Sequence, residues 1–127
     1  MPATPFYAAV FALLLVALSI RTLRLRHKFR VGIGDGGEPR LQRAIRVHAN
    51  FCEYVPLAVL LIYFFEVFVS KGFWVHALGV TLLVGRLLHA YGVSQTGENY
   101  RYRVTGMALT FTVILTAAGS ILAAYLV

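Results

Sequence analysis

A group of polar side chains just ahead of an apolar segment has the types and spacing to bind a small charged molecule. The group is Arg43, Arg46, Asn50, Glu53 and Tyr54. Residues of an α-helix advance by about 100° each, so these five side chains fall within about 100° of one another on one face. A charge at the centre of a membrane helix costs roughly 2.5–3.5 kcal/mol on insertion scales, so charges beside hydrocarbon usually serve a function. Two cations, an anion, an amide and a phenol favour a zwitterionic ligand.

The same charges could instead serve packing. Glu53 follows Arg46 by two helical turns on the same face, so the two could form an intramembrane ion pair. Against this interpretation, the cations near this membrane level outnumber the carboxylates. They are Arg43, Arg46, Arg86, Arg101 and Arg103, and they face only Glu53 and Glu98. A surplus of positive charge at low dielectric predicts a site for an anion, such as a carboxylate or a thiolate.

Composition places the chain in a bilayer. Of its 127 residues, 59% are hydrophobic and only 13% are charged, whereas soluble domains carry about 25% charged residues. The net charge of +7 could indicate nucleic-acid binding, but the cations flank apolar segments, where anionic lipid headgroups attract them, so we expect lipid contact and no nucleic-acid partner. The lone Cys52 excludes an intrachain disulfide, and leaves open a packing role or a reactive thiol.

Four apolar runs predict one all-α domain over residues 1–127, an integral-membrane four-helix bundle. The expected spans are residues 4–24, 41–69, 73–93 and 104–126, each long enough to cross about 30 Å of hydrocarbon. The first run lacks the preceding positive charges of a signal peptide, so we interpret it as a span. The second is longer than the hydrocarbon core is thick, so its polar first turns must reach the headgroup zone.

Loop charges predict the orientation. Eight Arg and Lys residues lie from Arg21 to Arg46, and Arg101 and Arg103 precede the fourth span, whereas the turn between spans two and three has only Lys71. Loops one and three are therefore expected in the cytoplasm and both termini outside. Polar groups of the second, third and fourth helices then converge at one level. Those added by the third helix include Arg86, His89 and Tyr91.

Other polar residues receive local interpretations. We expect Glu66 and His76 to pair across the turn between spans two and three, and His48 to meet another helix or lipid headgroups. For His89 an interfacial position is an alternative to a role in the site. Small residues at intervals of four on the fourth span predict a packing seam, within the bundle or between subunits: Ala108, Thr112, Thr116, Ser120 and Ala124. No spacing of His, Cys, Asp and Glu resembles a metal site.

The segment around the polar face resembles a known family signature. Arg46-Val47-His48-Ala49-Asn50-Phe51-Cys52-Glu53-Tyr54-Val55-Pro56 is similar to the motif of the membrane-associated proteins in eicosanoid and glutathione metabolism, MAPEG: an arginine, an asparagine four residues later, then Glu-Tyr-x-Pro. Gly85-Arg86-Leu87-Leu88-His89-Ala90 and Arg103-Val104-Thr105-Gly106-Met107 look like the third-helix and fourth-helix segments of its bacterial members. The similarity extends over about Leu41 to Val127.

The resemblance implies a homotrimer that holds glutathione, as co-substrate, between neighbouring subunits near the cytoplasmic face. It implies glutathione contacts from Arg46, Asn50, Glu53 and Tyr54, and thiolate stabilisation by Arg103, with Arg101 as a rival. Some members place tyrosines near the end of the third helix. This chain has His89 and Val93 near those places, with Tyr91 between them, and the candidate contacts of this helix are Arg86, His89 and Tyr91.

The function expected from residues and resemblance together is a glutathione-dependent membrane transferase or peroxidase that acts on hydrophobic electrophiles or lipid hydroperoxides. A thiol with a pKa near 8.5 is mostly protonated at neutral pH, and a nearby arginine raises its thiolate fraction. One alternative is a non-catalytic binding or transport protein in which Glu53 carries a proton or binds a cation. Another is a scaffold that only oligomerises. The short chain and bacterial-like motifs favour a bacterial inner membrane.

Overall fold

Four long helices make up the whole chain. The computed structural model describes all 127 residues and contains no strand. The helices are α1 (Thr4–Phe29), α2 (Pro39–Phe68), α3 (Phe73–Ser94) and α4 (Tyr100–Leu126). Each is long and apolar enough to cross a membrane. The predicted all-α class and its four potential membrane spans are therefore confirmed.

The helix ends follow local sequence signals. Pro39 begins α2, where its missing N–H has no helical partner to lose. Arg30 ends α1 in the left-handed conformation, at φ 57°. The Asn99 side chain accepts a hydrogen bond from the backbone N–H of Arg101 at 3.1 Å, so that α4 begins four residues before the predicted span. Arg103 therefore lies in the first turn of a helix, which fixes its direction.

The bundle has α2 and α3 between the outer helices. α1 packs mainly on α2, α4 packs on α3 and α2, and α1 and α4 do not touch. The core runs through the middle of the bundle and consists of aliphatic and aromatic side chains, among them Phe11, Phe51, Ile62, Leu82 and Val113. Burial of these side chains against one another aligns the polar turns of α2, α3 and α4 at the same end.

Two glycines let α3 and α4 touch backbone to backbone. A Cβ atom added to Gly106 would lie 2.5 Å from the carbonyl oxygen of Gly85 and 2.7 Å from the backbone nitrogen of His89. A Cβ atom on Gly85 would lie 3.0 Å from the carbonyl oxygen of Gly106. Small residues permit such close approach of membrane helices. This contact sets the spacing between His89 and the first turns of α4.

Glu66 joins the start of α1 to α2. Its carboxylate is buried and accepts hydrogen bonds from the backbone N–H groups of Ala3 at 2.5 Å and Thr4 at 2.9 Å. These are unpaired donors at the positive end of the α1 dipole, which a carboxylate stabilises. The expected pair of Glu66 with His76 is therefore wrong. The carboxylate of Glu66 binds the backbone of the first residues of the chain, and Nδ1 of His76 lies 3.0 Å from the hydroxyl of Tyr7 instead.

Two further expectations about helix packing are refined. His48 does meet another helix, because its Nε2 lies 3.0 Å from the hydroxyl of Ser19 on α1. The small-residue stripe on α4 faces mostly outward, with only Ser120 half-buried. The seam that packs α4 within the chain is a neighbouring set: Gly106, Thr110, Val113 and Ala117. The outward stripe is therefore left for lipid or another subunit.

Gly106→Ala should destabilise the protein, because its new methyl group would meet the backbone of α3. Overpacking of this kind costs about 1–3 kcal/mol. Gly119→Ala is the matched control on the same helix, since a Cβ atom there meets nothing within 4 Å. Thermal unfolding in detergent, followed by circular dichroism, should show a lower midpoint for Gly106→Ala only. Equal midpoints for the two variants would contradict the close contact.

Glu66→Gln should also destabilise the protein, by about 1–3 kcal/mol. The glutamine amide keeps one acceptor oxygen, but it places N–H donors against the second backbone N–H and removes the charge that complements the helix dipole. Glu38→Gln is the control, because the Glu38 side chain makes no capping hydrogen bond. The same unfolding measurement compares them, and a midpoint for Glu66→Gln no lower than that of the control would count against the role of Glu66.

Candidate functional site

A polar cavity lies between α2, α3 and α4, at the end of the bundle where the sequence placed the convergence of charges. Its volume is about 210 Å³. Its lining residues are Arg46, Asn50, His89, Val93, Arg103 and Met107. Four of these six belong to the predicted site, and they come from three helices. The structure thus brings Arg46, Asn50, His89 and Arg103 to one place.

The guanidinium of Arg86 lies buried beside this cavity without a carboxylate partner. The residue is only 2% exposed and stands about 12 Å below the end of α3 at 1.5 Å per residue. Its hydrogen-bond partners are neutral: Asn50, Thr110, His89 and the sulfur of Met107. Its Nε has no partner. Burial of an uncompensated ion costs several kcal/mol, which marks Arg86 as a group retained for more than packing.

Arg86 fixes the direction of the Asn50 amide. Nη2 of Arg86 donates to Oδ1 of Asn50 at 2.5 Å. A guanidinium carries only donors, so the amide must turn its oxygen toward Arg86. The NH₂ group of Asn50 then points away from Arg86 and is the donor that Asn50 can offer to the cavity that it lines. This orientation is dictated by chemistry, because the reversed amide would set donor against donor.

Arg86 also fixes the tautomer of His89. Its Nδ1 lies 3.4 Å from Nη2 of Arg86, and since Arg86 can only donate, this nitrogen acts as the acceptor. The imidazole is therefore neutral with its proton on Nε2. His89 is buried and lines the cavity, so the Nε2–H is the polar group that it can offer there. His89 therefore lines the cavity from a buried position and has no solvated edge.

A buried carboxylate holds Arg103 at the edge of the cavity. Oε1 of Glu98 accepts from Nη2 of Arg103 at 2.5 Å and from Nη1 of Arg43 at 3.0 Å. Sequence reasoning counted Glu98 among the few carboxylates at this level, but did not place it in the site. It also missed Thr110, a buried hydroxyl that accepts from Arg86 at 3.4 Å. The sequence signal that could have identified Thr110 is its position four residues after Gly106, on the buried face of α4.

The ion pair considered as a packing alternative does form. Nη2 of Arg46 lies 3.7 Å from Oε1 of Glu53, with the two side chains 58% and 51% exposed. An exposed pair contributes about 0–1 kcal/mol. It leaves Arg86 without a counter-ion. The pair therefore does not account for the surplus of positive charge around the cavity.

Five predicted site residues do not line the cavity: Glu53 and Arg86, described above, and Tyr54, Tyr91 and Arg101. The ring of Tyr54 packs edge-on against Phe111, with ring centroids 5.5 Å apart. Tyr91 is exposed and packs against Tyr102, because a residue two positions from His89 points to nearly the opposite face of α3. Arg101 is exposed, and only its backbone N–H has a polar partner here, the side chain of Asn99. Of the two candidate thiolate stabilisers, only Arg103 lines the cavity.

The arrangement can bind an anion. The polar side chains that line the cavity belong to two arginines, an asparagine and a histidine. Because Arg86 occupies Oδ1 of Asn50 and Nδ1 of His89, the amide and the imidazole have only N–H donors left to offer. A second observation concerns metals: no three or more His, Cys, Asp or Glu side chains are grouped to hold a metal ion. The chemistry available at this place is therefore charge stabilisation by arginine, with apolar side chains of Val93 and Met107 beside it.

Comparison with known proteins gives this chain a family. The profile of the MAPEG family matches residues 4–123. Two similar proteins, one from Escherichia coli strain K12 and one from an O6:H1 strain of the same species, are each named inner membrane protein YecN. Each is 43% identical over 109 residues, which are 86% of this chain and 82% of the relative. The chain is an integral membrane protein and belongs to the MAPEG family.

Proposed function

We propose that the protein is a glutathione-dependent membrane transferase or peroxidase that acts on hydrophobic electrophiles or lipid hydroperoxides. One observation carries the proposal: the polar groups that line the cavity between α2, α3 and α4 are donors only. Such a lining favours an anion with several acceptor atoms. Family membership adds glutathione as the expected co-substrate.

Glutathione matches the groups at hand. It carries two carboxylates, an ammonium and a thiol. Arg46, Arg103 and the NH₂ group of Asn50 supply donors for the anionic parts. Glu53 lies outside the cavity, three residues after Asn50 on α2, and its exposed carboxylate is available to the ammonium. The buried charge of Arg86 adds positive potential behind Asn50 and His89, which strengthens the preference for negative charge.

The chemistry follows from charge stabilisation by Arg103. A guanidinium next to the thiol favours the thiolate, and the released proton passes to water. In transfer, the thiolate sulfur forms a bond to an electrophilic carbon, and the leaving group departs with its electron pair. In peroxide reduction, two glutathione molecules are oxidised to the disulfide while the hydroperoxide becomes an alcohol and water. Apolar substrates would reach the sulfur from the bilayer.

A homotrimer is part of the proposal. Arg46 and Glu53 are both more than half exposed in the single chain, on a helix long enough to span the membrane. Charged side chains in a membrane segment face protein or water rather than lipid. A neighbouring copy that covers this face would meet that requirement, and the outward stripe of small residues on α4 offers a close-packing surface.

The proposed location is a bacterial inner membrane with loops one and three in the cytoplasm and both termini outside. The name of the two relatives, inner membrane protein, supports an inner membrane. The excess of arginine and lysine in loops one and three supports the orientation. A transport role for Glu53 finds less support, since its side chain is half-exposed on the surface of the chain and does not line the cavity between the helices. A purely structural scaffold would give no reason to bury Arg86 unpaired.

Arg103→Ala should abolish the thiolate absorbance of the glutathione complex, because the cation next to the sulfur is gone. Arg101→Ala should retain it, because Arg101 does not line the cavity. The measurement is an ultraviolet difference spectrum of purified protein with glutathione, in detergent or lipid discs. Equal spectra for the two variants would remove Arg103 from its proposed role. Absence of glutathione binding by the unaltered protein would end the proposed function.

Substitutions at Asn50 should separate binding from stability. Asn50→Asp keeps an acceptor for Arg86 but replaces the cavity-side NH₂ by a carboxylate oxygen, whereas Asn50→Ala removes both groups. We expect Asn50→Asp to be the more stable variant and yet to bind glutathione more weakly than Asn50→Ala, by about tenfold or more. Calorimetric titration gives the order of glutathione affinities, and thermal unfolding gives the order of stabilities. Tighter binding by Asn50→Asp would refute the donor orientation.

A further inference from the structure

Glu98 lies in the short connection between α3 and α4, yet its side chain is only 2% exposed. Its Oε1 accepts from both Arg43 and Arg103, while its Oε2 is buried with no hydrogen-bond partner. The Nε of Arg103 is likewise buried and unpaired. The ion pair between Glu98 and Arg103 at the edge of the cavity thus contains one unpaired acceptor oxygen and one unpaired N–H donor. Neither group is in a fully paired arrangement.

The two arginines that share Glu98 are held differently. Nη1 of Arg43 also donates to the carbonyl oxygen of Val93 at 3.0 Å, which ties it to the last turn of α3. Its side chain is 25% exposed, against 41% for Arg103. The Arg103 side chain has no hydrogen-bond partner besides Glu98. Arg43 therefore anchors the carboxylate, and Arg103 is the partner that can shift.

The geometry points to Glu98 as an internal competitor for Arg103. Its carboxylate binds the guanidinium that an anionic sulfur in the cavity would use. Glu98 thereby sets how much more tightly the site binds a charged sulfur than a neutral one. This inference rests on the proposed glutathione function. Glu98 acts through Arg103, so it is a positioning and specificity-determining residue. It need not touch the ligand.

The physical reason is that the carboxylate of Glu98 is shared by two guanidinium groups, those of Arg43 and Arg103. Two guanidinium groups and one carboxylate leave a net charge of about +1 instead of +2, which weakens the positive potential at the sulfur position. A guanidinium has five N–H donors, so a charged ligand atom can take those that Glu98 leaves free without breaking the whole pair. The ligand and Glu98 then share Arg103. Sharing moderates the affinity for a charged sulfur and eases its release.

The test uses two glutathione derivatives that differ at sulfur. Glutathione sulfonate carries a permanent negative charge there, whereas S-methylglutathione is neutral. Glu98→Gln keeps one acceptor oxygen, which can still accept from both arginines, and replaces the unpaired Oε2 and the negative charge by a neutral NH₂ group. We expect its Kd for glutathione sulfonate to fall by about tenfold, and its Kd for S-methylglutathione to stay within about twofold. Glu38→Gln is the control, since it removes the same charge from a residue that forms no ion pair with Arg43 or Arg103.

Each other outcome has a defined meaning. If Glu98→Gln loses affinity for both derivatives, Glu98 builds the site and the inference is overturned. If affinity for the sulfonate alone falls, Glu98 orients Arg103 and does not compete for it, which also overturns the inference. Unchanged affinities do the same. If the unaltered protein binds neither derivative, the proposed function fails, and that result is distinct from all the others.

Discussion

A buried guanidinium without a counter-ion is the constraint that orders the polar end of this bundle. Arg86 must be met by acceptors, and the ones it finds are neutral: the amide oxygen of Asn50, the hydroxyl of Thr110 and Nδ1 of His89. By occupying those acceptors it determines which atoms the amide and the imidazole present on their other sides. The polarity of the cavity surface therefore depends on a residue that does not line it.

Much of this architecture follows from the chain alone. Long apolar runs separated by short polar segments are enough to predict four membrane helices. Successive loops lie on alternate sides of the membrane. The polar turns of α2, α3 and α4 must therefore lie at the same end of the bundle, whatever the packing of the helices. Arg46, Asn50, His89 and Arg103 could be grouped on that basis, because each lies near the same end of its own helix.

Other features depend on distances that no spacing rule supplies. Whether Arg101 or Arg103 reaches the cavity depends on the helical phase of α4, which is fixed by its start at Tyr100 and by the Asn99 cap. Tyr91 faces away from the cavity because it lies two residues, or about 200° of helical rotation, beyond His89 on α3. Glu66 was misjudged because its partners are backbone donors of a helix more than sixty residues away along the chain. Contacts of this kind arise only when the helices pack.

The glycine contact between α3 and α4 has a mechanical consequence. Backbones that touch at Gly85 and Gly106 leave no slack between α3 and α4. Hydrogen bonds from Arg43 to Val93 and from Arg86 to Asn50 tie α2 to the same pair of helices at the polar end. The walls of the cavity are therefore fastened to one another, and a ligand that matches them would need little backbone rearrangement to bind.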